Sequence, residues 1–252
     1  AATASEKMTK GFGPLLPGFL SINWNNHEAI KNSFSDRTAA ILIEPIQGEG
    51  GIRVIPEQYL KGIREFCDEN KILLILDEVQ CGVGRTGKLF AHEWAEIEPD
   101  IMMVAKGIGG GFPLGAVLAK ENAASGMTAG THGSTYGGNP LGCSIGLKVM
   151  DIISNPNFLL DVNRKAKNFR AGLSELLNKN TSIFEEVRGK GLMLGLKCKV
   201  QNIDVVNAGY SNKLLTVPAG DNVVRLLPPL TISDKEIKQA LEKLDCVMTE
   251  LS

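Results

Sequence analysis

Apolar residues gather into short blocks along this chain, and the blocks fall into two periods. The runs 39–43, 72–76, 101–105 and 114–119 are continuous and of strand length. That pattern is expected of parallel strands covered on both faces. Between the runs, apolar positions recur at helical spacing. Ala29, Ile30 and Phe34 predict a short helix over 26–34. Leu60, Ile63 and Phe66–Cys67 predict another from Pro56 to about Glu69, with the proline in the first turn, where it needs no N–H partner. Ile145, Val149 and Ile152–Ile153 predict a long helix over 139–153. Strand, helix, strand in succession implies right-handed crossovers and a doubly wound α/β sheet, mainly parallel.

After Asn155-Pro156 the texture changes. A charged helix is predicted over about Phe158–Leu177, then a hairpin of 184–188 and 192–197 about Gly189-Lys190-Gly191. A last strand, 223–227, leads through Pro228-Pro229 into an amphipathic helix from Ser233 to Leu251. Asp234 and Glu236 sit near its positive N-terminus. Residues 1–155 are therefore expected to form a large domain and 156–252 a smaller α+β domain.

Composition narrows the function class. A formal charge of -1 offers no electrostatic footprint for nucleic acid or an anionic membrane surface. No apolar run reaches transmembrane length, and no charged-then-apolar leader opens the chain. The five cysteines are odd in number and never form a C-x-x-C pair, which argues against a disulfide framework and for reduced thiols in a cytoplasmic protein. His27, His92 and His132 lack metal-ligand spacing, so no metal is expected.

The chemistry concentrates in 73–115. One apolar run stops at Asp77-Glu78-Val79-Gln80 and the next stops at Lys106, followed by Gly107-Ile108-Gly109-Gly110-Gly111-Phe112-Pro113. Open α/β sheets bind ligands at such strand ends. Gly82-Val83-Gly84-Arg85-Thr86-Gly87 matches G-x-G-x-x-G after a strand. However, Asp77 and Glu78 would face a pyrophosphate, and the next strand ends in Lys106 rather than in a ribose-binding acid. A flexible active-site loop is the better reading, and an NAD-dependent dehydrogenase the rejected one. Lysine is seldom buried. Among these glycines a partly desolvated Lys106 amine becomes a nucleophile towards carbonyls, suited to Schiff-base chemistry. Asp77 beside it is suited to stabilising a protonated pyridine nitrogen.

Together these motifs resemble the class III (ornithine-type) pyridoxal-phosphate aminotransferases. The resemblance is carried by Asp77-Glu78-Val79-Gln80, Gly84-Arg85-Thr86-Gly87, Ala105-Lys106-Gly107 and Gly109 to Gly115. It extends to Glu44-Pro45-Ile46-Gln47-Gly48-Glu49-Gly50-Gly51, His132-Gly133-Ser134-Thr135-Tyr136-Gly137-Gly138-Asn139, and Val224-Arg225 before the prolines. It spans the chain in order and is closest to the acetylornithine branch.

The resemblance implies a fold type I PLP-transferase large domain with a mainly parallel sheet, plus a smaller C-terminal α+β domain. It implies pyridoxal 5'-phosphate as cofactor, with Lys106 and Asp77 catalytic. Cofactor contacts fall to Asp77, Glu78, Val79, Gln80 at the phenolic oxygen, Lys106, and Thr135 reaching the neighbouring subunit's phosphate in a homodimer. Substrate contacts fall to Ser134, to Arg225 at the α-carboxylate of glutamate, and to Glu49, which pairs with Arg225 when the other substrate is bound. The implied reaction moves the terminal amine of N-acetylornithine to 2-oxoglutarate, in arginine biosynthesis. Ornithine, succinylornithine and 4-aminobutyrate are the alternative donors. The family also implies further chain upstream of Ala1, carrying a phosphate-cradling turn, a ring-stacking aromatic and a second arginine. On that expectation this chain is an N-terminally truncated, inactive fragment of an active enzyme, and a non-catalytic scaffold is the competing reading.

Overall fold

The computed structural model describes residues 1–3, 5–24, 26–179 and 181–252. The first elements are α1 (Glu6–Thr9) and α2 (His27–Ser33), the latter capped by Asn26, whose side chain accepts from the Ala29 N–H at 2.9 Å. The strands β1 (Ala40–Ile43), β2 (Ile46–Gln47) and β3 (Arg53–Val54) follow. Helix α3 (Glu57–Asn70) begins after Pro56 and buries Leu60, Ile63 and Cys67. These side chains pack on Leu74 and Leu76 of β4 (Leu73–Asp77), which leaves one face of the sheet covered by α3.

β5 (Ile101–Val104) and β6 (Ala116–Ala119) complete a sheet in the order β1-β4-β5-β6. β1 and β5 flank β4 in parallel, with Ile43 opposite Leu76 and Asp77 opposite Met103. The carboxyl ends of β1, β4 and β5 therefore converge. β6 departs from the parallel expectation and runs antiparallel to β5, with Met102 opposite Leu118. The physical reason is the connection. Residues 105–115 form a tight turn and loop without a crossover helix, and a parallel return needs a dozen or more residues.

α4 (Glu121–Ala124) and α5 (Pro140–Ile153) follow, and α5 starts at Asn139, whose side chain accepts from the Gly142 N–H. α6 (Pro156–Lys179) then leads to the antiparallel hairpin of β7 (Phe184–Lys190) and β8 (Met193–Cys198). α7 (Asn202–Ser211), β9 (Val217–Ala219), β10 (Val223–Leu226) and α8 (Asp234–Leu251) close the chain. The second sheet has the order β7-β8-β10-β9. Its core joins Phe169 and Leu173 of α6 to Leu194 and Leu196 of β8, Val224 of β10, and Leu244 and Val247 of α8.

The β9–β10 hairpin was not anticipated from the apolar pattern, because β9 is only Val217-Pro218-Ala219. Its signal lies in the turn. Asp221 and Asn222 have φ of 54° and 52°, as the centre of a type I′ hairpin turn requires. A smaller cluster, with Ile46, Ile52 and Cys81 against Met193 and Val223, ties the two sheets together. Among the described residues no helix is long and apolar enough to cross a membrane.

Candidate active site

Strand register puts an acid and an amine at the same carboxyl edge of the sheet. Asp77 is the last residue of β4, and Lys106 follows β5 by two positions. Asp77 is half-buried and its Oδ1 accepts the Val79 N–H at 2.9 Å, which turns the chain out of the strand, and Oδ2 has no hydrogen-bond partner among the described residues. Lys106 departs from expectation. It is exposed rather than partly buried, and it begins a one-turn 3-10 helix (Lys106–Gly109) with φ of 47°. A side chain at positive φ is strained, which is a recurring feature of functional positions. The glycines after it serve packing instead of making room for the amine. A Cβ at Gly107 would meet Val83 at 3.2 Å, and one at Gly109 would meet Leu114 at 3.3 Å.

A second acid, Glu44, joins them, a residue to which the sequence motif alone gives no role. It follows Ile43, the register partner of Leu76, so it sits beside Asp77 at the sheet's carboxyl edge. Its Oε2 accepts the Gly48 N–H at 3.2 Å. Burial pushes the Glu44 carboxyl above its ordinary pKa, and the nearby charges of Asp77 and Glu49 add to this. The Gly48 N–H and Lys106 oppose it. An apolar run ending in an acid, as at Asp77, was the available signal.

Arg225 enters from the second sheet. On β10 it lies opposite Gly195 of β8 and Val217 of β9, and its side chain is 6% exposed. Its Nη1 donates to Glu49 Oε1 at 2.5 Å and to Gln80 Oε1 at 3.1 Å. Its Nε is buried without an acceptor among the described residues, an unsatisfied donor of a kind native interiors seldom tolerate. Glu49 is brought to it by the backbone. The Gly220 N–H donates to the Glu49 carbonyl at 2.8 Å, so the β9–β10 turn holds the glycine loop against the arginine. Thus Asp77, Gln80, Glu49 and Arg225 converge with Glu44, and Lys106 lies at the same strand edge.

Other expected members stand apart. Glu78 is fully buried and faces away from Asp77, because successive side chains leave a strand end on opposite sides. Its Oε2 accepts the Ala91 N–H at 2.6 Å and its Oε1 the His92 N–H at 2.9 Å, with His92 Nδ1 at 2.7 Å. It caps the 3-10 turn Ala91–Trp94 and is not available to a cofactor. Val79 flanks the site, half-buried. Ser134 and Thr135 lie on an exposed segment with His132; Ser134 Oγ accepts the Gly137 N–H at 2.9 Å, and among the described residues no hydrogen bond joins either residue to the cluster.

The loop 82–87 also differs from expectation. It is buried, not a flexible active-site loop, and it forms a joint to the C-terminal sheet. Arg85 Nη1 donates to the carbonyls of Pro228 at 2.6 Å and Leu192 at 3.2 Å, and burial pulls its guanidinium down to about 10. Asn163 Nδ2 donates to the Gly87 carbonyl at 2.7 Å, and Trp94 Nε1 to Thr86 Oγ1 at 3.2 Å. Glycine is required at 84 and 87 because φ there is 80° and 90° and neighbouring side chains fill the space a Cβ would take. No phosphate-binding role is left for the motif.

A family model for aminotransferase class-III matches residues 1–248. The acetylornithine aminotransferase of Rhodobacter capsulatus is 62% identical over 251 residues, covering 100% of this chain and 64% of that protein. The chain therefore spans less than two thirds of that relative's length. Among solved structures, an ornithine aminotransferase from Toxoplasma gondii with pyridoxal phosphate at partial occupancy superposes with a TM-score of 0.92 at 33% identity, covering 98% of this chain and 60% of that one. The N-acetylornithine aminotransferase of Stenotrophomonas maltophilia K279a gives 0.84 at 35% identity, over 92% and 62% of the two chains. With a family model matched along nearly its whole length, the chain belongs to the class-III aminotransferases, a pyridoxal-phosphate-dependent family.

Proposed function

We propose that the full-length protein transfers the terminal amino group of N-acetylornithine to 2-oxoglutarate, as a cytoplasmic homodimeric enzyme of arginine biosynthesis. The observation that carries this reading is Arg225, buried and shared between Glu49 and Gln80. The name of the Rhodobacter capsulatus relative supports the choice of donor. We read 1–155 as the cofactor-binding domain and 156–252 as the domain that delivers Arg225.

The donor set suits pyridoxal phosphate. Asp77 Oδ2 would hold the ring nitrogen, Lys106 Nζ the aldehyde carbon, and the Gln80 amide the phenolic oxygen, with Val79 against one ring face. Thr135, exposed on its segment, is free to reach a phosphate in the neighbouring subunit, with Ser134 beside it near substrate. When bound, the cofactor supplies an electron sink that stabilises negative charge at the substrate carbon.

The chain's own residues do the rest. Asp77 supplies the fixed negative charge that favours a protonated ring nitrogen. Lys106 Nζ, when its amine is free, would be the base that moves a proton at the substrate carbon. Arg225 binds the α-carboxylate of glutamate or 2-oxoglutarate through its planar fork. Glu49 covers Arg225 when the donor, reacting at its terminal amine, presents no carboxylate there. One site thus serves two substrates of different length.

Initial rates of the full-length enzyme with N-acetylornithine, ornithine and 4-aminobutyrate test the assignment. The reading expects N-acetylornithine to have the highest kcat/KM. A preference for 4-aminobutyrate would reject it.

A further inference from the structure

The loop after β1 turns on Gly48. Its carbonyl accepts the N–H groups of Gly51 at 3.3 Å and Ile52 at 3.5 Å, and its own N–H donates to Glu44 Oε2 at 3.2 Å. Gly48 is buried, and the place of its missing side chain is taken. A Cβ there would fall inside the Gln80 amide, against Oε1, Cδ and Nε2 alike. The amide therefore rests on the bare face of Gly48. From the other side, Arg225 Nη1 donates to Gln80 Oε1 at 3.1 Å. A guanidinium carries donors only, so the Gln80 NH2 group points elsewhere.

Stability alone does not account for a carboxyl at position 44. Glu44 is half-buried, and the register of β1 on β4 sets it beside Asp77. Burial raises its pKa, the charges of Asp77 and Glu49 add to this, and Lys106 opposes it. The ionised form is thus disfavoured in the fold, and a neutral side chain would suit the structure at least as well. Groups kept under such a cost gather at functional sites. What the carboxyl supplies is an acceptor for the Gly48 N–H.

We infer that Glu44 is a positioning residue for the reaction: by holding the Gly48 N–H it keeps that glycine beneath the Gln80 amide, and so sets where the Gln80 NH2 group stands towards the cofactor ring. The inference deepens the proposed reading that Gln80 reaches the phenolic oxygen, and rests on it. Glu44 touches neither ring nor substrate in this account and acts through Gly48 and Gln80.

The test is a double-variant cycle in the full-length, cofactor-loaded enzyme, read by visible absorbance at one pH and by kcat/KM. Gln80→Ala should shift the visible band, because the ring oxygen loses a donor. Glu44→Leu fills the space without an acceptor and should shift the band the same way. The double variant should match Gln80→Ala alone, with kcat/KM within about twofold. Glu44→Gln keeps an acceptor oxygen and should restore the wild-type band. Gly48→Ala retains Glu44 but drives the amide from its seat, and should give the Gln80→Ala band even if Glu44→Leu fails to fold. Losses that multiply in the double variant overturn the inference, as does a wild-type band in Glu44→Leu or in Gly48→Ala. A Glu44→Gln enzyme that behaves like Glu44→Leu also overturns it, since charge and not the acceptor would then matter. The underlying reading fails by a different sign: a band in Gln80→Ala identical to wild type means that Gln80 does not reach the ring, and the role of Glu44 falls with it.

Discussion

Arg225 Nη1 and Glu49 Oε1 lie 2.5 Å apart across 176 positions of sequence, and the pair is lopsided: the arginine side chain is 6% exposed and the glutamate 72%. The buried partner is fixed in the sheet and the exposed one is free to swing. A carboxylate substrate should therefore displace the acid and leave the arginine in place. Arg225→Lys keeps the charge and loses the fork, and is expected to raise KM for 2-oxoglutarate by roughly 10–150-fold, equivalent to about 1.5–3 kcal/mol. Steady-state kinetics of the full-length enzyme check it.

Glu49→Gln removes the competing charge. Single-turnover measurements should show tighter binding in the glutamate half-reaction and a slower half-reaction with N-acetylornithine, since an uncovered Arg225 misdirects the donor's carboxylate. Equal effects on both half-reactions would contradict the switching role.

Gly51 supports that pair from behind. Its φ is 105°, and a Cβ there would lie 2.6 Å from the Gly220 carbonyl oxygen. Gly51→Ala is expected to destabilise the protein by about 2 kcal/mol or more in urea unfolding, and to reproduce part of the Glu49→Gln kinetics by lifting the loop from the β9–β10 turn.

Arg85 ties the loop after β4 to the C-terminal part of the chain, and it has no anionic partner among the described residues. Arg85→Met would leave the Leu192 and Pro228 carbonyls unsatisfied and is expected to cost about 1–3 kcal/mol in urea unfolding. Cofactor absorbance should survive. Loss of cofactor with unchanged stability would argue for a ligand-binding role for the glycine motif after all.

Two carboxyls are shifted in opposite directions. Lys197 and Arg188 hold Asp221 down at about 2. A depressed acid favours folding above its unfolded value and loses that contribution as pH falls through its folded value. Asp221 should therefore contribute to acid lability between pH about 4 and about 2. Unfolding free energy measured against pH should fall more steeply there in wild type than in Asp221→Asn. Glu44 is raised, chiefly by burial, and behaves in reverse: its contribution is present at low pH and is lost as pH rises through its folded value. Glu44→Gln should accordingly be at least as stable as wild type at neutral pH.

The legible part of this site was local. Asp77 and Lys106 each follow a continuous apolar run, so strand ends could be located and ligand chemistry placed there. Glu44 carries the same signal but merged with a glycine-rich loop. The Gln80–Arg225 contact spans 145 positions and depends on how two sheets meet, which no local pattern encodes. The burial of Glu78 follows from side-chain alternation at a strand end, which motif matching ignores. The direction of β6 turned on the length of one connection, and the exposure of Lys106 on a turn that begins just beyond β5.

The most direct test of the central claim is covalent capture. The full-length protein, loaded with pyridoxal phosphate and reduced with borohydride, should carry the cofactor's mass on the peptide containing Lys106, and Lys106→Ala should carry none. Attachment at another lysine, or no attachment in the wild type, would contradict the account.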